Sequence, residues 1–174
     1  GEPAKVEFGM FGEDSDPKIR AEKLDEGLEI LNGLWKGEPF SFKGKHYKLS
    51  KMTFQPPCFQ SPRIPIWVGG FWPNPAPFRR EANWDGVIPL KKNGYLTPED
   101  IQRMLEFIVP HRKNNSSFDL AIIGNQNKVR AGLKGTQKIS AYEQAGATWW
   151  LESLYTSRNS FSKLLEIIKL GPPR

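Results

Sequence analysis

The sequence has little cysteine, little histidine and no long apolar run. With one cysteine, Cys58, among 174 residues, it has neither an internal disulfide nor a cysteine-rich metal site. The two histidines, His46 and His111, lie far apart in the chain and lack the usual spacing of metal ligands, and we assign neither a catalytic role. We therefore predict no metal centre, and the lone cysteine favours a reducing, cytoplasmic setting.

Membrane and nucleic-acid partners are not predicted either. The apolar segment Ile64–Val68 is interrupted by Pro65 and is far shorter than the ~20 residues that a membrane span needs. The net charge is +6, from 25 Lys and Arg against 19 Asp and Glu, but no recognition motif for nucleic acid accompanies it. The length suits one domain over residues 1–174.

The sequence pattern of the N-terminal third predicts one helix and one hairpin. Asp16 followed by Pro17 is typical of a helix start, apolar residues then recur at helical spacing to Trp35, and Gly37 is a stop. Residues 40–49 alternate apolar and polar side chains around a Lys-Gly-Lys turn, which predicts an inserted β-hairpin.

The rest of the chain alternates strands and helices. Four apolar segments are predicted as strands: Ile64–Val68, Gly86–Leu90, Phe118–Ile123 and Thr148–Leu154. Asn74, Thr97 and Ser160 are predicted helix caps, and a further helix is predicted from Thr136 to Ala145. The strands start 22, 32 and 30 residues apart, close to one βαβ unit each. This pattern predicts an α/β fold with about four parallel βα units, or half of a TIM-type barrel, since the full barrel takes ~250 residues.

From Phe11 onward, several segments occur in a specific order. They are Arg20-Ala-Glu-Lys-Leu-Asp-Glu-Gly-Leu-Glu-Ile-Leu, Leu34-Trp-Lys-Gly-Glu-Pro, Phe42-Lys-Gly-Lys-His-Tyr, Pro62-Arg-Ile-Pro-Ile-Trp-Val-Gly-Gly and Trp84-Asp-Gly-Val-Ile-Pro. In this order the chain resembles the luciferase-like monooxygenases, flavin- or deazaflavin-dependent oxidoreductases built on an eight-unit barrel. The segment Ala145-Gly-Ala-Thr-Trp-Trp-Leu-Glu and the terminal Gly171-Pro-Pro-Arg are typical of one branch of that family.

The resemblance implies that the chain corresponds to the C-terminal half of the barrel, with its four strands matching strands five to eight. It implies FMN or coenzyme F420 as cofactor and a small molecule as substrate. In the family the other half supplies much of the pocket around the flavin ring. The implied function is a flavin-dependent oxidoreductase or monooxygenase, in a truncated form of low or no activity alone.

Functional groups of a parallel barrel lie at the carboxyl ends of its strands. By resemblance, Gly69, Gly70, Phe71 and Trp72 lie near the phosphate end of the cofactor, so they are the predicted cofactor-binding residues. Two glycines allow a close backbone approach, and the helix after Asn74 is expected to aim N–H groups at an anion. Alternatively, the glycines form only a tight strand-to-helix turn. Further candidates near strand or helix ends are Arg79, Arg80, Lys91, Lys92, Asn125, Gln126, Glu152 and Ser153.

Half a barrel leaves one sheet face bare and two strand edges unpaired. A missing N-terminal half, a second copy or a rearranged fold would cover them, and we expect a homo-oligomer for the isolated chain. A second function is therefore a non-catalytic, self-associating module that at most binds a phosphorylated ligand. Trp149 and Trp150 are adjacent in one predicted strand, so one of them is expected to face the barrel interior.

Overall fold

The computed structural model describes residues 3–113, 116–124, 135–154 and 160–171. They form two compact units, Gly1–Ile64 and Pro65–Arg174. The expectation of a single domain stays a prediction. Among the described residues, no helix has both the length and the apolar character that a bilayer span requires.

The first unit consists of one long helix, one hairpin and a short helical start. Its elements are α1 (Ala4–Glu7), a 3-10 turn (Gly9–Phe11), α2 (Pro17–Leu34), β1 (Phe40–Lys43) and β2 (Lys48–Met52). The side chain of Asp16 accepts the N–H groups of Lys18 at 2.8 Å and Ile19 at 3.0 Å, which confirms the predicted helix start. The strands β1 and β2 pair antiparallel, as the alternation predicts.

Two carboxylates of α2 hold the hairpin turn. Glu26 accepts the backbone N–H groups of Lys45 at 2.7 Å, His46 at 3.0 Å and Tyr47 at 2.8 Å. Partial burial acts to raise the pKa of Glu26, but these N–H groups outweigh it and the pKa is lowered. Glu22 lies 2.7 Å from Lys45 Nζ and 2.8 Å from His46 Nε2, and these two hydrogen bonds lower its pKa to about 2.

Replacing Glu26 is expected to loosen the hairpin turn. In Glu26→Ala the N–H groups of residues 45–47 lose their shared acceptor, so their amide hydrogens should exchange faster. The measurement is hydrogen exchange of the turn, with Glu29→Ala as control, because Glu29 is an exposed carboxylate on the same helix. Equal exchange in the two variants would contradict the assigned role.

The second unit is a four-stranded parallel sheet with helices between the strands. Its elements are β3 (Trp67–Trp72), α3 (Pro75–Glu81), β4 (Gly86–Lys91), α4 (Pro98–Ile108), a 3-10 turn (Val109–His111), β5 (Asp119–Gly124), α5 (Gly135–Gln144), β6 (Trp149–Glu152) and α6 (Phe161–Leu170). The strand order is β3-β4-β5-β6 and every pair is parallel. The predicted α/β fold of four parallel strands plus a hairpin is confirmed.

The helix caps follow the predicted residues with one difference. Asn74 Oδ1 accepts the N–H of Ala76 at 3.2 Å, and Thr97 and Asp100 form a reciprocal capping box at the start of α4. Ser160 stands at the N-cap of α6, but its side chain makes no capping hydrogen bond. The helix starts are therefore placed as the sequence indicates.

The first strand differs from its prediction. The predicted strand over residues 64–68 ended before the glycine pair, whereas β3 starts at Trp67 and runs through both glycines to Trp72. Gly69 is aligned with Ile88 and Gly70 with Pro89 in the parallel ladder. The interpretation of Gly69–Gly70 as a strand-to-helix turn is therefore wrong, because pairing with β4 keeps this segment extended.

The helices cover one face of the parallel sheet, whereas the other face has exposed side chains. Side chains buried under the helices include Val68, Val87, Leu120 and Ile122, and they join Phe78, Ile101, Met104 and Ile108 in the core. We call the other side the inner face; it carries Trp67, Gly69, Phe71, Ile88, Leu90, Ile123 and Trp149. Three of its side chains are well exposed: Leu90 at 38%, Ile123 at 43% and Trp149 at 51%.

The inner face is partly bridged by two tryptophans. Trp67 of β3 and Trp149 of β6 have ring centroids 5.5 Å apart. Their strands are separated by two others, and in a flat sheet they would lie about 14 Å apart. The two side chains therefore converge over the same face, which is the arrangement of a curved half barrel. Trp150 points to the opposite side and packs against Tyr142, as the alternation predicts.

Candidate functional site

The carboxyl ends of β3 and β4 lie side by side. Trp72 is aligned with Lys91, and Lys92 follows directly. Side chains of a strand alternate between faces, so Gly69 and Phe71 belong to the inner face while Gly70 and Trp72 point towards the helices. The four predicted cofactor-binding residues are thus brought together in one strand but divided between two faces.

Gly69 and Phe71 make the accessible part of this site. A Cβ at Gly69 would meet only the Ile88 carbonyl oxygen, at 3.5 Å, so the inner face is open above this residue. The Nζ atom of Lys92 lies 5.9 Å from the centroid of the Phe71 ring, within cation–π range. A flat unsubstituted strand segment, an aromatic ring and a cation therefore occur together, an arrangement that suits a planar ligand with an anionic group.

Gly70 and Trp72 face the protein interior instead. A Cβ at Gly70 would lie 2.5 Å from Pro77 Cβ and 2.7 Å from Glu81 Oε1, so glycine is required by space. The Trp72 ring packs edge-on against Phe78, with centroids 5.1 Å apart. These two side-chain positions belong to the contact between β3 and α3, and a ligand on the inner face would reach only their backbone.

The helix after β3 does not supply N–H groups to an anion, contrary to expectation. It has seven residues, and its first and third positions are Pro75 and Pro77, which have no N–H. The N–H of Ala76 between them is donated to Asn74 Oδ1. Both the prolines and the Asn74 cap are present in the sequence, and together they leave the start of this helix without a free N–H group for an anion.

One titratable residue of this region was missed by sequence reasoning. Glu81 ends α3 and is fully buried, and neither of its carboxyl oxygens has a hydrogen-bond partner among the described residues. Burial raises its pKa to about 8, and only the charge of Arg80 opposes this shift. A signal existed, because Glu81 follows the buried Phe78 by three residues and precedes the buried Ala82, which places it on the core face of the helix.

Several other candidates have structural partners away from the inner face. Lys91 Nζ lies 2.6 Å from Asp100 Oδ2, at the capping box of α4. Glu152 accepts the indole N–H of Trp150 at 3.0 Å. The backbone N–H of Ser153 donates to Gly124 O at 3.2 Å.

Two of the remaining candidates, Arg79 and Arg80, lie on α3. The Arg79 guanidinium lies 6.0 Å from the centroid of the Phe107 ring on α4, and Arg80 lies beside Glu81. Asn125 and Gln126 fall outside the described residues. In the part of the chain that the structure describes, no group of three His, Cys, Asp or Glu side chains is placed to hold a metal ion.

The two histidines have local partners. His46 contacts Glu22 in the hairpin anchor. His111 Nδ1 lies 2.7 Å from the Phe107 carbonyl oxygen, and the two rings stack with centroids 4.6 Å apart. His111 lies in the 3-10 turn that follows α4.

Parallel βα units with an open inner face define a partial βα barrel. The chain belongs to the luciferase-like monooxygenase family, whose model matches residues 2–108. Among curated relatives are uncharacterized proteins of Mycobacterium tuberculosis and Mycobacterium bovis, each 30% identical over 118 residues. The match covers 66% of this chain and 38% of each relative, so the matched part spans well under half of their length.

Solved structures agree on the fold. An F420-dependent secondary alcohol dehydrogenase, in complex with an F420-acetone adduct, has a TM-score of 0.61 at 14% identity and is similar over 81% of this chain and 58% of that one. The coenzyme F420 dependent tetrahydromethanopterin reductase from Methanopyrus kandleri has a TM-score of 0.59 at 15% identity, over 76% of this chain and 57% of that one. At these identities the likeness establishes the shared fold.

Proposed function

We propose that this chain is the cofactor-binding part of an oxidoreductase that uses a flavin-type cofactor, FMN or coenzyme F420, on a small-molecule substrate. The observation that carries the proposal is the open carboxyl end of the sheet in a luciferase-like chain, where Gly69, Phe71 and Lys92 meet. Both solved relatives described above are F420-dependent by name, which supports the deazaflavin.

The residues of the inner face fit such a group. A flavin or deazaflavin has a planar ring system and a phosphate-bearing side chain. Gly69 leaves room for a flat group against the strand, while Leu90 and Ile123 offer exposed apolar surface. Lys92 supplies a cation near the strand ends. The cofactor would supply the hydride or electron chemistry, and the residues of this chain would bind and orient it.

Low activity of the chain alone is part of the proposal. An eight-stranded barrel encloses its interior, whereas four strands leave Ile123 and Trp149 of the inner face exposed to water. Exclusion of water from an active site strengthens its electrostatic interactions and prevents side reactions of reactive intermediates. Binding of the cofactor therefore does not by itself make the four-stranded unit an efficient catalyst.

The binding site is tested by charge reversal at Lys92. The protein is titrated with F420 and with FMN in separate experiments that follow cofactor fluorescence. Lys92→Glu is expected to weaken binding about tenfold or more, because an attractive charge near the anionic group becomes a repulsive one. Lys163→Glu makes the same charge change at an exposed position of α6 and should leave binding unchanged. Failure of wild type to bind either cofactor, or equal effects of the two variants, would overturn the proposal.

The second candidate function is a self-associating half barrel that at most binds a phosphorylated ligand. It is favoured by the outer strands β3 and β6, each of which has one strand neighbour among the described residues, and by the exposed inner face. A two-fold axis along the barrel would pair β6 of one copy with β3 of the other, closing eight parallel strands. Light scattering combined with the cofactor titrations distinguishes the two functions. A dimer that binds neither cofactor supports this second function, and a monomer that binds one of them contradicts it.

A further inference from the structure

Glu81 is the buried titratable group that the proposed function does not use. It lies at the end of α3, beneath β3, on the side of the sheet away from the open inner face. Its carboxyl group has no exposed surface, and in the part of the chain that the structure describes neither oxygen has a hydrogen-bond partner. A carboxylate buried without compensation is strongly disfavoured, so the neutral acid is the form that this packing accepts.

The Glu81 carboxyl group lies directly against the strand that carries the candidate site. An ideal Cβ at Gly70 would be 2.7 Å from Glu81 Oε1, so the acid occupies the space that a side chain of residue 70 would otherwise fill. Gly70 is flanked in β3 by Gly69 and Phe71, the two accessible residues of the inner face. Displacement of the carboxyl group would remove the support under these residues.

The surroundings contain little that could stabilise the ionised form. The elements that pack against α3 are β3, β4 and α4, and β3 has no titratable residue. The charged residues of α3, β4 and α4, apart from Glu81, are Arg79, Arg80, Lys91, Glu99, Asp100, Arg103 and Glu106. Of these only Arg80 acts to lower the pKa of Glu81, and burial outweighs it, which leaves the pKa at about 8.

We propose that neutral Glu81 is a positioning residue for the candidate cofactor site: while it is protonated it supports β3 at Gly70, and when it ionises this support is lost. The inference rests on the proposed function where it concerns ligand binding, but its primary test needs no ligand. With a pKa of about 8, the protonated fraction falls from about nine-tenths at pH 7 to about one-tenth at pH 9.

The first test measures hydrogen-exchange protection of residues 69–72 between pH 7 and pH 9 in the cofactor-free protein. Protection factors are compared, since they remove the intrinsic pH dependence of exchange. In wild type, the protection of these residues is expected to fall as the pH rises, with a midpoint near pH 8. In Glu81→Gln the protection should stay constant, because glutamine has nearly the same shape as glutamic acid but cannot ionise. Glu106→Gln is the matched control, because it makes the same change at an exposed position of α4 and should follow wild type. A pH-independent wild type, or a Glu81→Gln variant that follows wild type, overturns the inference.

A second measurement needs no variant. The infrared carbonyl band of a protonated carboxylic acid should be present in wild type at pH 7 and disappear with the same midpoint as the loss of protection. Absence of that band at pH 7 would overturn the inference even if Glu81→Gln failed to fold.

The ligand experiment separates this inference from the proposed function. Affinity for whichever cofactor binds should fall about tenfold between pH 7 and pH 9 in wild type, in proportion to the protonated fraction, and stay level in Glu81→Gln. A chain that shows the pH-dependent protection but binds neither cofactor refutes the proposed function alone. If the chain binds cofactor but neither the protection nor the affinity changes with pH, the role of Glu81 is refuted and the proposed function is not.

Discussion

Glu81→Gln is expected to abolish most of the loss of stability that the wild-type protein undergoes as the pH rises from about 5 to about 8. Burial raises the pKa of Glu81 from 4.5 to about 8, so across this interval the folded protein holds a proton that the unfolded chain has released. Stability therefore falls as the pH rises, at most about tenfold per pH unit in the folded-to-unfolded ratio. The contribution of Glu81 is fully present below pH 4.5 and is lost by about pH 8.

The measurement is urea unfolding at several pH values between 5 and 9. The other carboxyl groups with shifted pKa values do not interfere with this measurement, because in each of them the pKa is lowered and the contribution to stability is lost only as the pH falls below the ordinary range. These groups are Asp14, Glu22, Glu26, Glu99 and Asp100. Glu81→Gln should be more stable than wild type at pH 8 and nearly level across the interval. Parallel curves for the two proteins would show that Glu81 is not buried as a neutral acid.

Gly70→Ala is expected to destabilise the protein far more than Gly69→Ala, although the two glycines are neighbours in one strand. The new Cβ at position 70 would lie 2.5 Å from Pro77 Cβ, and the proline ring cannot turn away as a flexible side chain could. Overpacking of this kind typically costs about 1–3 kcal/mol. At position 69 the nearest atom is the Ile88 carbonyl oxygen at 3.5 Å, an ordinary contact.

Thermal or urea unfolding of the two variants measures this difference, and Gly69→Ala is the matched control. Gly69→Ala should stay within about 0.5 kcal/mol of wild type, as surface substitutions usually do. Equal losses in the two variants would mean that the strand does not present these glycines to opposite faces.

The hairpin shows which features of the fold the local sequence pattern can predict and which it cannot. The alternation over residues 40–49 and the Lys-Gly-Lys turn were enough to predict β1 and β2, since side-chain alternation and turn chemistry are local properties. The anchoring of that turn by Glu22 and Glu26 was not predicted, because those residues lie about 20 positions earlier on α2. Helical spacing indicates that two glutamates share a face, but it does not indicate which N–H groups that face will meet.

The Gly69–Gly70 segment shows where local pattern misleads. Glycine is uncommon inside strands, so the pair was interpreted as the end of one. The ladder with β4 extends the strand to Trp72, because β4 provides partners for residues 67–72 in register. This extension divides the predicted site residues between faces, leaving Gly69 and Phe71 open and turning Gly70 and Trp72 towards α3.

The sequence by itself determined the order of strands and helices, most of the helix starts, the parallel α/β class and the family. The order of elements and the fold class follow from periodicity and capping residues, which can be read along the chain, and the family was indicated by the resemblance of its segments. Only the tertiary structure decided that Lys92 lies by Phe71 while Lys91 pairs with Asp100, and that Glu81 is buried under Gly70. The reason is physical: desolvation and side-chain pairing depend on residues from other elements, and strand register fixes which of them meet.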